Sequence, residues 1–260
     1  MEVGLLMLVG GVAAGLFGSL LGLGGGLLIV PLLSIGFGVP LREAVGVSLV
    51  CVIVTSSASA GVFLERRQAR LRLGMILELF TATGAIAGGL LAFLLDERML
   101  AGLFAAVLLY VAFTMVRRGT RAEESEPELS TGHGPLAGTR NVPLGLVGSV
   151  AAGIVSALLG VGGGIVKVPV MHLIMGVPLR VATATSNLMI GITASASAFV
   201  YVLRGGIDVA AVGPTAVGVF IGATIGSQYG GKVGQRLLRW LFVGVLLFTA
   251  FEMTRRALAL

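Results

Sequence analysis

The chain has 260 residues, of which 56% are hydrophobic, 12% charged and 6% aromatic, and its mean hydropathy is +1.03. A soluble globule of this length carries about twice that charge and could not bury so much apolar surface, which excludes soluble enzymes, nucleic-acid binders and secreted disulfide scaffolds. The net charge of +6 comes largely from arginines at segment ends, where they anchor membrane helices, and the 41 glycines suit closely packed membrane helices.

A helix needs roughly 20 apolar residues to cross a bilayer. In chain order the predicted spans are 3–22, 44–64, 74–95, 99–116, 142–159, 182–203, 207–229 and 237–254. Two shorter apolar stretches, 27–38 and 165–177, each follow a glycine cluster. Glu2 is the only early charge, so the first span lacks the basic flank of a signal peptide and reads as structural. Cys51 stands alone in an apolar run, can form no internal disulfide, and reads as a small buried hydrophobe. Arg66, Arg67, Arg70 and Arg72 follow the second span, and Arg117, Arg118 and Arg121 come two crossings later. An even number of crossings puts both clusters on one face, which positive-inside bias makes cytoplasmic. The stretch 117–141 holds eight of the thirty charged residues with two prolines and four glycines, so it cannot bury enough surface to fold. His133 within it reads as solvated.

Residues 15–118 align with 153–256 at a constant offset of 138, with about 38 of 104 pairs identical. Gly22-Leu23-Gly24-Gly25-Gly26 matches Gly160-Val161-Gly162-Gly163-Gly164, Pro31 matches Pro169, and Gly38-Val39-Pro40-Leu41-Arg42 matches Gly176-Val177-Pro178-Leu179-Arg180. Gly84 and Gly88 match Gly222 and Gly226, in Gly-x-x-x-Gly pairs that read as helix-packing faces. The expected fold is an all-α polytopic membrane protein of two pseudo-symmetric repeats, with about eight full spans and two short glycine-broken segments. Its predicted parts are a first repeat 1–118, a cytoplasmic linker 119–141 and a second repeat 142–260. The halves are parallel if the short segments are re-entrant and inverted if they cross. Lys and Arg divide about 11 against 6 in the first case and 12 against 5 in the second, which leaves both open.

Two halves interrupted by glycine at the same place are the layout of a secondary transporter, with substrate between them near broken helices. A glycine run leaves backbone N–H groups unpaired at a helix start, which suits an anion. The candidate substrate ligands are therefore Gly24, Gly25, Gly26, Gly162, Gly163 and Gly164. Hydroxyl-rich stretches follow each cluster and add Ser48, Ser57, Ser186 and Ser195, with Asn187 standing where the first half has Leu49. Interhelical glue is the competing role for such residues. Lys167, opposite Ile29, could neutralise an anion or snorkel to an interface. His172 reads as a hydrogen-bonded structural histidine, and Glu78 is expected to pair with a nearby arginine, with proton coupling as its alternative.

The pattern Leu20-Leu21-Gly22-Leu23-Gly24-Gly25-Gly26 followed by Val30-Pro31 recurs as Leu158-Leu159-Gly160-Val161-Gly162-Gly163-Gly164 and Val168-Pro169. With the Gly-Val-Pro-Leu-Arg motifs, and with Ala44 to Ser48 and Ala182 to Ser186, it resembles the sulfite exporter TauE/SafE family over nearly the whole chain. The resemblance implies a multi-pass inner-membrane transporter for small sulfur-containing anions such as sulfite, sulfoacetate or other organosulfonates, usually viewed as an exporter. Its expected partners are that anion, the lipid bilayer and a coupling proton or cation; no nucleic acid, cofactor or metal is expected. An anion channel or passive pore is the alternative. An intramembrane serine protease using Ser57 or Ser195 with His172 lacks an acidic orienter.

Overall fold

The computed structural model describes residues 2–21, 25–65, 70–118, 139–229 and 235–259. Lipid offers no hydrogen-bond partner to the backbone, so apolar runs of this length satisfy their own N–H and C=O groups as helices. The helices are α1 (Glu2–Leu21), α2 (Gly26–Pro31), α3 (Leu41–Glu65), α4 (Leu71–Leu94), α5 (Glu97–Arg118), α6 (Val142–Leu159), α7 (Gly164–Pro169), α8 (Leu179–Leu203), α9 (Val209–Tyr229) and α10 (Gln235–Ala259). No strand occurs among the described residues. Seven of them, α1, α3, α4, α5, α6, α8 and α9, are long and apolar enough to cross a membrane. The expected eighth span, 237–254, falls in α10, which is not among the seven and carries Glu252, Arg255 and Arg256 in its last turns.

The two short segments are broken as their sequences imply. Each continues beyond its proline into a π-helical turn, Leu32–Gly36 and Val170–Ile174. Pro31 and Pro169 lack the N–H that would close the α-helical ladder, and the backbone widens behind them. The resulting apolar helices, Gly26–Gly36 and Gly164–Ile174, are too short to cross alone.

Element bounds recur at the offset of 138, with α2, its π turn and α3 corresponding to α7, its π turn and α8. The corresponding pieces exchange a helix: α4 packs on α6 and α8, while α9 packs on α1 and α3. Glycine permits that exchange. A Cβ on Gly84 or Gly88 would overlap the backbone of Val150 or Ile154 in α6, and one on Gly222 or Gly226 would overlap Val12 or Leu16 in α1. The Gly-x-x-x-Gly pairs are thus contact faces, as the sequence suggests.

Helix directions follow from the residue pairs in contact. Gly11 and Gly15 meet Thr215 and Val219, so α1 and α9 run the same way; α4 and α6 do likewise, with Gly84 at Val150 and Gly88 at Ile154. The equivalent helices α3 and α8 run oppositely. Gly46 near the start of α3 meets Gly206 just past the end of α8, Ser56 donates to the Asn187 carbonyl at 2.9 Å, and the Arg70 amide donates to Thr185 Oγ1 at 3.0 Å. In α5 and α10, too, the start of one meets the end of the other, Gly102 facing Ala257. Helices aligned at the offset of 138 thus run in opposite directions here. Cys51 is a buried free thiol in the α3 core, beside Leu49 and Val52.

Candidate functional site

Gly25 and Gly163, immediately before α2 and α7, have φ of 74° and 80°. That left-handed geometry is open to glycine without strain, and it turns the chain back into a new helix start. Both starts lie where the two halves touch. A Cβ on Gly26 would overlap the Gly160 carbonyl, and one on Gly162 would press on Val52 of α3 and Ile190 of α8. Gly24 lies outside the described residues.

The start of α7 carries the open cradle. Its first turn closes with the Val166 and Lys167 amides donating to the Gly163 carbonyl at 3.2 and 3.0 Å, and the N–H groups before them have no carbonyl within the helix. Ser156 on α6 and Ser186 on α8 are 0% and 1% exposed, and their hydroxyls have no hydrogen-bond partner among the described residues. Those oxygens lie 3.7 Å and 3.5 Å from the Cβ positions of Gly163 and Gly164. Leaving a buried hydroxyl unpaired costs about 1–3 kcal/mol, so each calls for a partner such as a water, an ion or a ligand. The first half has closed its counterpart. Ser48, equivalent to Ser186, donates to the Gly160 carbonyl at 2.7 Å, and Gly18 stands where Ser156 would be. Ser34 in the first π turn and Thr215 in α9 also have hydroxyls without a partner among the described residues.

The first turn of α7 also carries Lys167, one member of a buried ion pair. The Lys167 ammonium binds the Glu78 carboxylate directly, and Lys167 Nζ also donates to Thr193 Oγ1 at 2.8 Å. The Thr193 hydroxyl in turn donates to Glu78 Oε1 at 2.5 Å. Lys167 and Glu78 are 2% and 4% exposed, so Lys167 does not snorkel. The expected arginine partner of Glu78 is replaced by Lys167, and helix geometry gives the reason. Seven residues of α4 carry Glu78 roughly 10 Å inward from the arginine-rich rim, onto the side of a helix that packs on α6 and α8. The positions equivalent at the offset of 138 are Ile29, Ala216 and Thr55, so the pair, with Glu78 from the first repeat and Lys167 from the second, has no counterpart.

Other candidates fall elsewhere. Ser57 and Ser195 are exposed, and each hydroxyl donates to a carbonyl of its own helix, Ile53 at 2.9 Å and Gly191 at 2.8 Å. Asn187 is buried with its backbone carbonyl accepting from Ser56 across the α3–α8 contact. His172 Nδ1 lies 2.9 Å from the Val177 carbonyl, a structural hydrogen bond. The sequence reading passed over Ser156, although its replacement by Gly18 in the other half is the same one-sided polar signal that singled out Lys167 and Asn187. Among the described residues no group of three or more His, Cys, Asp or Glu is placed to hold a metal.

The model of one protein family, the sulfite exporter TauE/SafE, matches residues 7–253. The chain is 23% identical to probable membrane transporter protein YunE of Bacillus subtilis (strain 168), over 90% of this chain and 88% of the relative. It is 26% identical to probable membrane transporter protein YdhB of the same organism, over 86% and 88%. A probable membrane transporter protein of Methanocaldococcus jannaschii is 26% identical over 93% and 91%. No solved structure matches. Long apolar helices, paired glycine-broken segments and a family match across nearly the whole chain agree: this multi-pass membrane protein belongs to the sulfite exporter TauE/SafE family of membrane transporters.

Proposed function

We propose that the protein is a secondary transporter, in the export direction, for small sulfur-containing anions such as sulfite, sulfoacetate and other organosulfonates. The observation that carries this reading is the pair of buried, unpartnered hydroxyls of Ser156 and Ser186 at the start of α7, one turn from Lys167. Backbone N–H groups and hydroxyls donate hydrogen bonds without fixed charge, so they can hold an oxyanion and let it go. The opposed directions of α3 and α8 support inverted repeats, and alternating access then moves the two glycine-broken starts against each other. With inverted halves the richer Lys/Arg share falls on the side of linker 119–141, which supports a cytoplasmic linker. Ten crossings in this arrangement include α10 and the two short segments.

Proteoliposomes loaded with labelled sulfite, sulfoacetate, thiosulfate or taurine, with and without a proton gradient, test the reading. Saturable flux of one of them, lowered in Ser156→Ala and Ser186→Ala, is the expected result. Flux that never saturates and ignores every coupling-ion gradient identifies a channel instead, and absence of flux for all four removes the substrate class.

A further inference from the structure

The ion pair at the anion cradle has a charge balance that constrains what enters. Lys167 and Glu78 together are neutral, and neither reaches water to any extent. An anion entering at the Gly163–Gly164 turn would leave a net negative charge in a low-dielectric site, which is costly. An anion arriving with a proton leaves the site neutral. Glu78 is the acceptor at hand: its carboxylate already holds the ammonium and the Thr193 hydroxyl. Lys167 is placed to change partners. Its own amide closes the first turn on Gly163, and helical side chains lean toward the helix start, here the Gly163–Gly164 turn.

We propose that Glu78 is the coupling-proton site of this transporter: its carboxylate takes up one proton as an anion binds at the start of α7, and Lys167 is released to become the anion's counter-charge. This rests on the anion-site reading above. The proton comes from the aqueous side and forms the O–H bond of the carboxylic acid. The Thr193 hydroxyl, donor to the carboxylate and acceptor from the ammonium, can rotate to accept from the new acid. The surroundings leave the pair to itself. Helix α6 carries no ionisable residue, and α8 contributes Tyr201, which donates to the Ala157 carbonyl at 3.0 Å, and Arg180 at its start. The π turn after α7 contributes His172, bonded to Val177, and α4 has Arg72 one helix end away, with Arg70 just before it. The positions equivalent at the offset of 138, Ile29 and Ala216, form no such device, so one proton per transport cycle is coupled at one site.

The test uses the whole protein in lipid nanodiscs and three monoanions that are fully ionised near neutral pH: isethionate, methanesulfonate and propanesulfonate. Calorimetric titration in two buffers of different ionisation enthalpy gives the proton count directly, with no substitution needed. Uptake of about one proton per bound anion is expected, with affinity falling roughly tenfold per pH unit where Glu78 is ionised in the free protein. Glu78→Gln should bind without proton uptake and with affinity independent of pH. The neutral pair Glu78→Gln with Lys167→Gln keeps the fold free of a lone buried charge and should bind at least roughly tenfold more weakly than the wild type, as expected when a charge-assisted bond is lost. Binding by the wild type with no proton uptake would overturn the proton site and leave the anion site standing. Uptake that persists in Glu78→Gln assigns the proton to another group and equally overturns it. Failure of all three anions to bind overturns the anion site and this inference with it.

Discussion

Lys167→Met removes the charge that faces the Glu78 carboxylate across a contact shielded from water. Removing one partner of a buried ion pair costs about 3–5 kcal/mol, because the remaining charge stays buried without compensation. With ~2–4 °C of melting temperature per kcal/mol for a chain of this size, the variant should melt roughly 6–20 °C below the wild type. Glu78→Gln should lose a comparable amount by leaving the ammonium alone. The double variant removes both charges and keeps a side-chain amide beside Thr193. Replacing a buried pair by neutral groups is often close to neutral in stability, so it should melt within about 4 °C of the wild type. The assay is thermal unfolding of the detergent-solubilised protein followed by the fluorescence of Trp240, the single tryptophan. If the two single losses simply add in the double variant, the groups do not interact and the pairing argument fails.

The helix pairing can be tested by a cross-link, because a Cβ on Gly102 would lie 3.9 Å from the Ala257 Cβ, close to the ~3.8 Å of a disulfide. Gly102→Cys with Ala257→Cys, in a Cys51→Ala background, should oxidise and hold the halves together after cleavage in the 119–141 linker; separation of the fragments would refute antiparallel α5 and α10. Gly84→Val and Gly222→Val should each cost about 1–3 kcal/mol or more in thermal unfolding, since the added atoms meet backbone that cannot rotate away, and unchanged melting would deny the close approach. Ser57→Ala and Ser195→Ala should leave anion flux unaltered, because both hydroxyls are exposed and bonded to their own helices. Ser186→Ala, by contrast, should weaken anion binding roughly tenfold or more, the worth of a hydrogen bond to a charged group; equal effects of Ser57→Ala and Ser186→Ala would move the site elsewhere.

Much of this protein is legible without coordinates, because the bilayer imposes few solutions. Apolar runs of membrane length must be helices, glycine clusters and prolines must break them, and a shared register of Gly, Pro and Arg over a hundred residues marks the duplicated half and the family. Which way each helix face turns was left to the tertiary structure. In a soluble protein an apolar stripe marks the buried side, but in lipid both sides of a helix can be apolar. A serine that bonds back to its own helix is also satisfied wherever it points. Ser57 and Ser195 therefore read like Ser186, although only Ser186 is buried beside the α7 start. The same limit hid the partner of Glu78: residues 89 apart in sequence meet only because α4 is lent to the other half, and no local pattern records that exchange. The relative direction of α3 and α8 was decided likewise. Charge counts of 12 against 5 and 11 against 6 are too close to choose, whereas the contact of Gly46 with Gly206 and of Arg70 with Thr185 sets α3 against α8 in opposite directions.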